Sequence, residues 1–263
     1  MDLYLKDKVV IVTGGSKGIG AGIVRSFAAE EAVVLIINRP GKEGNELEKE
    51  LRGQGKRVKF IAAELNEAQE CKRVVDETVG EFDRIDVIVN NAGMNDSCGL
   101  DRTPEEFMRS VHNNLSHYYA MVHYSLPHLI KSGGNIVNIG SHVAVNGQGN
   151  TSGYVAAKGA INALTREWAV DLLKYGIRVN CVVPGNIWTN SYAKWVASFP
   201  NPEEGKRAVK EISDITPLGK RFTTCEELAD MVVFLASGRS SHTTGEIIYP
   251  DGGYTRLDRA CTK

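Results

Sequence analysis

The chain has 263 residues, 42% of them hydrophobic and 24% charged, with 31 lysines and arginines against 32 aspartates and glutamates. A net charge of −1 excludes the basic surface that nucleic acids and anionic membranes select, and the composition excludes a disordered or fibrous chain. No apolar run approaches the ~18 residues a membrane-spanning helix needs, and residues 1–7 lack the basic and apolar regions of a signal peptide.

Short apolar runs alternate with helical patterns along the whole length. Residues 9–12 read as a buried strand and residues 18–30 as a helix, followed by a second strand at 33–37 and a polar helix through Leu47 and Leu51. Further strands are expected at 58–62, 86–89, 135–139, 177–183 and 247–249. Near-continuous apolar strands separated by helices imply a parallel sheet covered on both faces. No linker, repeat or low-complexity tract interrupts the series. The fold expected is therefore α/β, a single-domain doubly wound Rossmann fold over residues 1–263 with about seven strands. Five cysteines (Cys71, Cys98, Cys181, Cys225 and Cys261) are odd in number and lack C-x-x-C spacing. They read as reduced thiols, which fits a cytoplasmic protein and neither a disulfide frame nor a metal site.

Thr13-Gly14-Gly15-Ser16-Lys17-Gly18-Ile19-Gly20 follows the first strand and opens a helix. Glycines there let the backbone approach a pyrophosphate, and the helix N-terminus offers amide donors. The second strand ends in Asn38-Arg39 with no carboxylate to bind a ribose 2′-hydroxyl. Arg39 can fork onto a 2′-phosphate and Lys17 adds a second cation, so NADP(H) is favoured, with NAD(H) possible. Either cation alone also reads as a solvated surface group.

Tyr154 and Lys158 lie four apart, on one face of a helix, so an ammonium can sit beside a phenol and lower its pKa by roughly one to three units. The pair equally describes a half-buried aromatic beside a solvated amine. Between the two proline turns around Pro184 and Pro217, a segment at about 186–216 is rich in aromatics and charges. Its Tyr192, Trp195 and Phe199 form one helical stripe, either packed on the body or serving as a lid over a substrate pocket.

In this order the motifs resemble those of the classical short-chain dehydrogenase/reductase family over nearly the full length. The glycine turn fits T-G-x-x-x-G-x-G, Asn90-Asn91-Ala92-Gly93 fits N-N-A-G, and Ser141 stands thirteen residues before Tyr154. Pro184-Gly185-Asn186-Ile187-Trp188-Thr189 fits P-G-x-I-x-T, and Asp251-Gly252-Gly253 fits the closing D-G-G. The resemblance implies hydride transfer between a nicotinamide and a secondary or anomeric hydroxyl. Tyr154 would exchange the proton, Lys158 would hold the nicotinamide ribose and depress the phenol, and Ser141 would bind the reacting oxygen. Asn114 would hold a relay water, with its neighbour Asn113 as the alternative. It further implies cofactor contacts from Gly14, Ser16, Lys17, Gly18, Ile19, Gly20, Asn38, Arg39, Glu64, Leu65, Asn91, Ala92, Gly93, Tyr154, Lys158, Pro184, Gly185, Ile187 and Thr189. Glu64-Leu65 stands where the family has Asp-Val against the adenine, with a longer acid.

Beyond the serine the residues are polar: His142, Asn146, Gln148, Asn150 and Thr151. They suit a sugar or polyol, with Trp188 or Trp195 stacking on its apolar face, or they form an ordinary polar loop. Residues 148–154 and the tail from Asp251 onward resemble bacterial sugar dehydrogenases of the L-fucose dehydrogenase type. That resemblance implies oxidation of an aldose such as L-fucose to its lactone, with Arg256 and Arg259 of the tail reaching toward a substrate pocket. The alternatives are a 3-oxoacyl-[acyl-carrier-protein] reductase and, in another class, a cofactor-sensing binding protein without turnover. His112, His117, His123 and His128 are spaced unlike metal ligands on a helix, and the resemblance implies that their helix faces a neighbouring subunit in a homo-oligomer, a tetramer.

Overall fold

A computed structural model describes residues 1–258, apart from the side chains of Asn190 and Ser191. Seven parallel strands form one sheet in the order β3-β2-β1-β4-β5-β6-β7. They are β1 (Val9–Thr13), β2 (Val33–Asn38), β3 (Val58–Ala62), β4 (Val87–Asn90), β5 (Asn135–Ile139), β6 (Arg178–Val182) and β7 (Ile247–Ile248). The helices are α1 (Gly18–Ala29), α2 (Lys42–Gly53), α3 (Ala68–Phe82), α4 (Pro104–Ser132), α5 (Ser152–Leu172), α6 (Asn190–Ala197), α7 (Pro202–Asp214) and α8 (Cys225–Ala236).

The apolar runs reflect burial on both faces. In β1, Val9 and Ile11 join the core with Val74 of α3, Tyr118 of α4 and Ile161 of α5, while Val10 and Val12 join Phe27 of α1 and Val232 of α8. Local chemistry fixes the helix ends. Thr103 and Glu106 close a capping box before α4 with Pro104 in its first turn, and Gly133 ends the helix with φ +61°. Two expectations are corrected at the edges. The last strand is two residues long, pairing with β6 only through Cys181 and Val182, and Tyr249 beyond it lies under the Arg256 guanidinium, 4.5 Å from its ring centre. The lid's aromatic stripe is not one helix: Tyr192 and Trp195 lie in α6, whereas Phe199 falls in the turn before α7, since Phe199 precedes Pro200 and Asn201 precedes Pro202, positions that disfavour helix.

Strand β1 lies between β2 and β4, and the helices that follow β1 and β4 leave on opposite faces. That reversal opens a crevice at the carboxyl ends of these strands, where ligands of open α/β sheets bind. Beyond it the chain is tied to itself. The Leu218 amide after α7 donates to the Gly252 carbonyl (2.9 Å). The Asp251 carboxylate, 2% exposed, accepts from the Gly253 and Thr255 amides (both 2.9 Å).

Candidate active site

At the end of β1 the chain turns through Gly14 (φ +64°) and Gly18 (φ +54°). Asn91 Nδ2 donates to the carbonyls of Thr13 (2.9 Å) and Gly14 (3.2 Å), and Thr13 Oγ1 accepts from the amides of Asn91 and Ala92. This weld fixes the turn against β4. A Cβ on Gly20 would lie 2.1 Å from the Gly14 carbonyl oxygen, so the turn closes only around glycine. Gly18 faces Thr189 across the crevice, where a Cβ would lie 3.6 Å from the threonine methyl. The first turn of α1 has no capping side chain and no acidic residue, which leaves its amides for an anion. These features fit a dinucleotide pyrophosphate.

At the adenosine end, Asn38 Nδ2 donates to Ser16 Oγ. The side chains of Lys17 and Arg39 are exposed and form no ion pair or hydrogen bond among the described residues. Glu64 is exposed too, whereas the Leu65 side chain belongs to the core. Ile187 also packs in the core, and Gly185 lies so close to Asp251 that a Cβ would meet its side chain at 2.7 Å. For Leu65 and Ile187, contact with a ligand therefore falls to the main chain.

The reacting end is assembled from three segments. Ser141 follows β5, Tyr154 stands in the first turn of α5, and Lys158 follows one turn later. Burial pushes the Tyr154 phenol up to about 12, and neighbouring Ser141 pulls the other way. Lys158 is 2% exposed, and burial lowers its ammonium to about 8. Its Nζ donates to the Ile139 carbonyl (2.8 Å) and the Tyr118 hydroxyl (3.0 Å), and lies 5.6 Å from the Tyr154 ring centre. The downward tuning of the phenol expected from the sequence is thus absent here. Two acceptors beneath the ammonium hold its charge toward the floor of the site.

Asn114 is buried while Asn113 is exposed, so only the former faces the crevice. Its Oδ1 accepts from the Met94 amide (2.7 Å) and its Nδ2 donates to the Ser110 carbonyl (3.0 Å), bracing the loop after β4. His117, expected on a subunit surface, is instead buried with Nε2 3.0 Å from the Ala92 carbonyl. Burial lowers it to about 4 from 6.5. As pH falls, the unfolded chain takes up this proton first. The histidine's contribution is therefore complete above pH 6.5 and is lost between 6.5 and 4, up to about 3 kcal/mol. Urea unfolding at pH 7.5 and 4.5 should show the drop, and His117→Gln should reduce it; an equal drop in the variant would exclude His117 as its source.

The substrate-side residues do not form one cluster. Gln148 is exposed and accepts from Asn95 (3.4 Å), whose Oδ1 accepts from Thr151 Oγ1 (2.5 Å); Asn150 is exposed and Asn146 half-buried. The His142 ring meets the edge of Tyr254 (5.1 Å between centres), and its buried Nδ1 has no partner among the described residues. Burial and neighbouring Tyr254 push Tyr192 up to about 12, and its hydroxyl donates to Asn186 Oδ1 (2.8 Å). Trp188 and Trp195 flank Tyr192 in an aromatic cluster with Phe222 and stay partly exposed. Lid, tail and post-serine turn therefore meet at Tyr192, Tyr254 and His142. In the tail, Arg256 lies on Tyr249 while Tyr254 reaches His142; Arg259 lies outside the described residues. Asn95, Tyr118 and Tyr254 escaped the sequence reading. Of these only Tyr118, one turn after Asn114 on the same helix face, left a positional signal.

Comparison with known proteins bears on this arrangement. Residues 14–255 match the family model described as enoyl-(acyl carrier protein) reductase. The L-fucose dehydrogenase of Bos taurus is 40% identical over 257 residues, covering 95% of this chain and 91% of that protein. The crystal structure of Cj0485 dehydrogenase is similar with a TM-score of 0.92 and 41% identity, each chain covered to 100%. L-sorbose reductase from Gluconobacter frateurii, solved with NADPH and L-sorbose, gives a TM-score of 0.93 at 28% identity, covering 98% of this chain and 100% of its own.

Proposed function

The chain belongs to the short-chain dehydrogenase/reductase family, and from that premise we propose that it oxidises an aldose such as L-fucose at its anomeric hydroxyl, giving the lactone. One observation carries the reading: the Lys158 ammonium lies 5.6 Å from the Tyr154 ring centre, with Ser141 near the phenol, beside the crevice that the glycine turn opens. The sugar preference is supported by the L-fucose dehydrogenase and L-sorbose reductase relatives and by the polar His142, Asn95 and Thr151. The whole chain acts as one catalytic domain, since a single sheet carries both the cradle and the catalytic set.

When bound, a nicotinamide supplies the hydride acceptor or donor. Ser141 holds the reacting oxygen and steadies charge that develops on it. Tyr154 moves the proton at that oxygen, taking it in oxidation and returning it in reduction. Lys158 orients the cofactor ribose from below. Thr189 and the turn at Gly18 hold the phosphates, and closure of α6 and α7 excludes water. A panel of aldoses, polyols and oxoacyl thioesters, assayed with both cofactors at several pH values, tests the assignment. Turnover confined to thioesters would replace it with an acyl-carrier reductase, and cofactor binding without turnover on any substrate would leave a sensor.

NADP(H) is the preferred cofactor in this reading, on the strength of the two unpaired cations at the adenosine end. Replacing Arg39 with Asp should move the ratio of kcat/KM for NADP over NAD by about 10–100-fold toward NAD, the worth of a charge-assisted bond. An unchanged ratio would reduce Arg39 to a solvated surface group. Among the described residues four cysteines are free thiols, in keeping with a cytoplasmic setting, and no helix is long and apolar enough to cross a membrane. Met108 and Tyr119 of α4 and Val170 of α5 are exposed apolar side chains, suited to the helix contacts of a homotetramer.

A further inference from the structure

We propose that Tyr118 is a positioning residue for this chemistry, fixing Lys158 so that one of its ammonium protons stays directed at the cofactor groove. The inference rests on the reading of Lys158 as the residue that meets the nicotinamide ribose. An ammonium has three donors and no acceptor. Two are committed downward, to the Ile139 carbonyl at 2.8 Å and the Tyr118 hydroxyl at 3.0 Å. The remaining one lies beside Gly93, where a Cβ would come within 3.5 Å of Nζ and 3.2 Å of Asn114 Oδ1. Gly93 is exposed and ends the motif after β4, so this is the side on which a ligand reaches the lysine.

Tyr118 is suited to the task in a way that an apolar residue at this core position is not. It is fully buried, and its hydroxyl donates to the same Ile139 carbonyl (3.0 Å) while accepting from Nζ. Ammonium, phenol and carbonyl thus close a triangle, and the ammonium also lies 5.2 Å from the centre of the Tyr118 ring. Burial raises Tyr118 well above its ordinary pKa, so it stays neutral and keeps both roles. Other titratable groups facing Lys158 are Tyr154 on its own helix, His117 on α4 and Cys181 on β6. Burial holds His117 and Cys181 neutral near pH 7, lowering the first to about 4 and raising the second to about 12. Neither replaces the acceptor that Tyr118 supplies.

The test is Tyr118→Phe, which keeps the ring and removes one oxygen. Lysine-labelled NMR reads the pKa of Lys158 in the free protein, without needing turnover. Loss of an acceptor disfavours the cation, so the pKa should fall by about one unit, one charge-assisted hydrogen bond. The alkaline limb of kcat should move to lower pH by the same amount, so kcat should fall about twofold at pH 7 and about tenfold above pH 9. A folded variant with an unchanged Lys158 pKa and wild-type pH profile overturns the proposal, as does a lowered Tm with unchanged activity per folded molecule. Should the variant not fold, the wild-type Lys158 ammonium signal decides: a resolved, slowly exchanging resonance supports the triangle, and a fast-exchanging one overturns it. A wild-type protein without turnover on any substrate would remove the functional premise while leaving the NMR result interpretable.

Discussion

Replacing Tyr154 with Phe is expected to lower kcat by about 10³-fold, within the 10²–10⁴ that a positioned proton donor contributes. The ring stays and only the oxygen leaves, so cofactor binding should hold within about twofold. Ser141 keeps its place, because it caps the short turn at His142–Ala144 through the Val143 amide (3.5 Å). The phenol at about 12 adds a pH signature. Its protonated form dominates at neutral pH, ready to donate in reduction, whereas oxidation needs the scarce phenolate and should accelerate with pH until Lys158 begins to lose its proton near 8. Steady-state rates in both directions from pH 6 to 10 check this. A variant that retains a tenth of wild-type activity would remove Tyr154 from the proton path.

Changing Lys158 to Met is expected to act on activity and stability in opposite directions. Activity should fall by about 10³-fold, since an electrostatic contact in a water-poor site and a ribose anchor disappear together. Stability should not fall and is expected to rise by roughly 1–3 kcal/mol, because an apolar side chain of similar length replaces a buried charge. The ammonium's lowering to about 8 reflects that desolvation. No orphan is left behind, as the Tyr118 hydroxyl still donates to the Ile139 carbonyl. Urea unfolding of both proteins at pH 7 checks the sign. A marked loss of stability would mean that the lysine, and not the phenol–carbonyl contact, holds α4 to β5.

The strands were legible because both faces of the sheet are covered, which leaves runs such as residues 9–12 without polar interruptions. The cradle and the Ser141, Tyr154 and Lys158 set were legible because each motif is local in sequence and their order is fixed. What failed to appear was non-local. The direction of the Lys158 ammonium depends on Tyr118, forty residues earlier, and on Ile139, nineteen earlier. The contact of His142 with Tyr254 joins segments that no spacing relates. Residue types foretold which groups gather, but geometry between distant segments decided which of them an ammonium or an imidazole touches. The break in the lid was visible in principle, in the prolines after Phe199 and Asn201.

The bond from Leu218 to Gly252 ties the segment after α7 to the turn that carries Tyr254. Any movement of α6 and α7 is expected to draw that turn with it, and the clasp between Tyr254 and His142 would then part in the same stroke. Variation in the last dozen residues should then set how long a product lingers, and turnover can diverge between enzymes whose catalytic groups are identical.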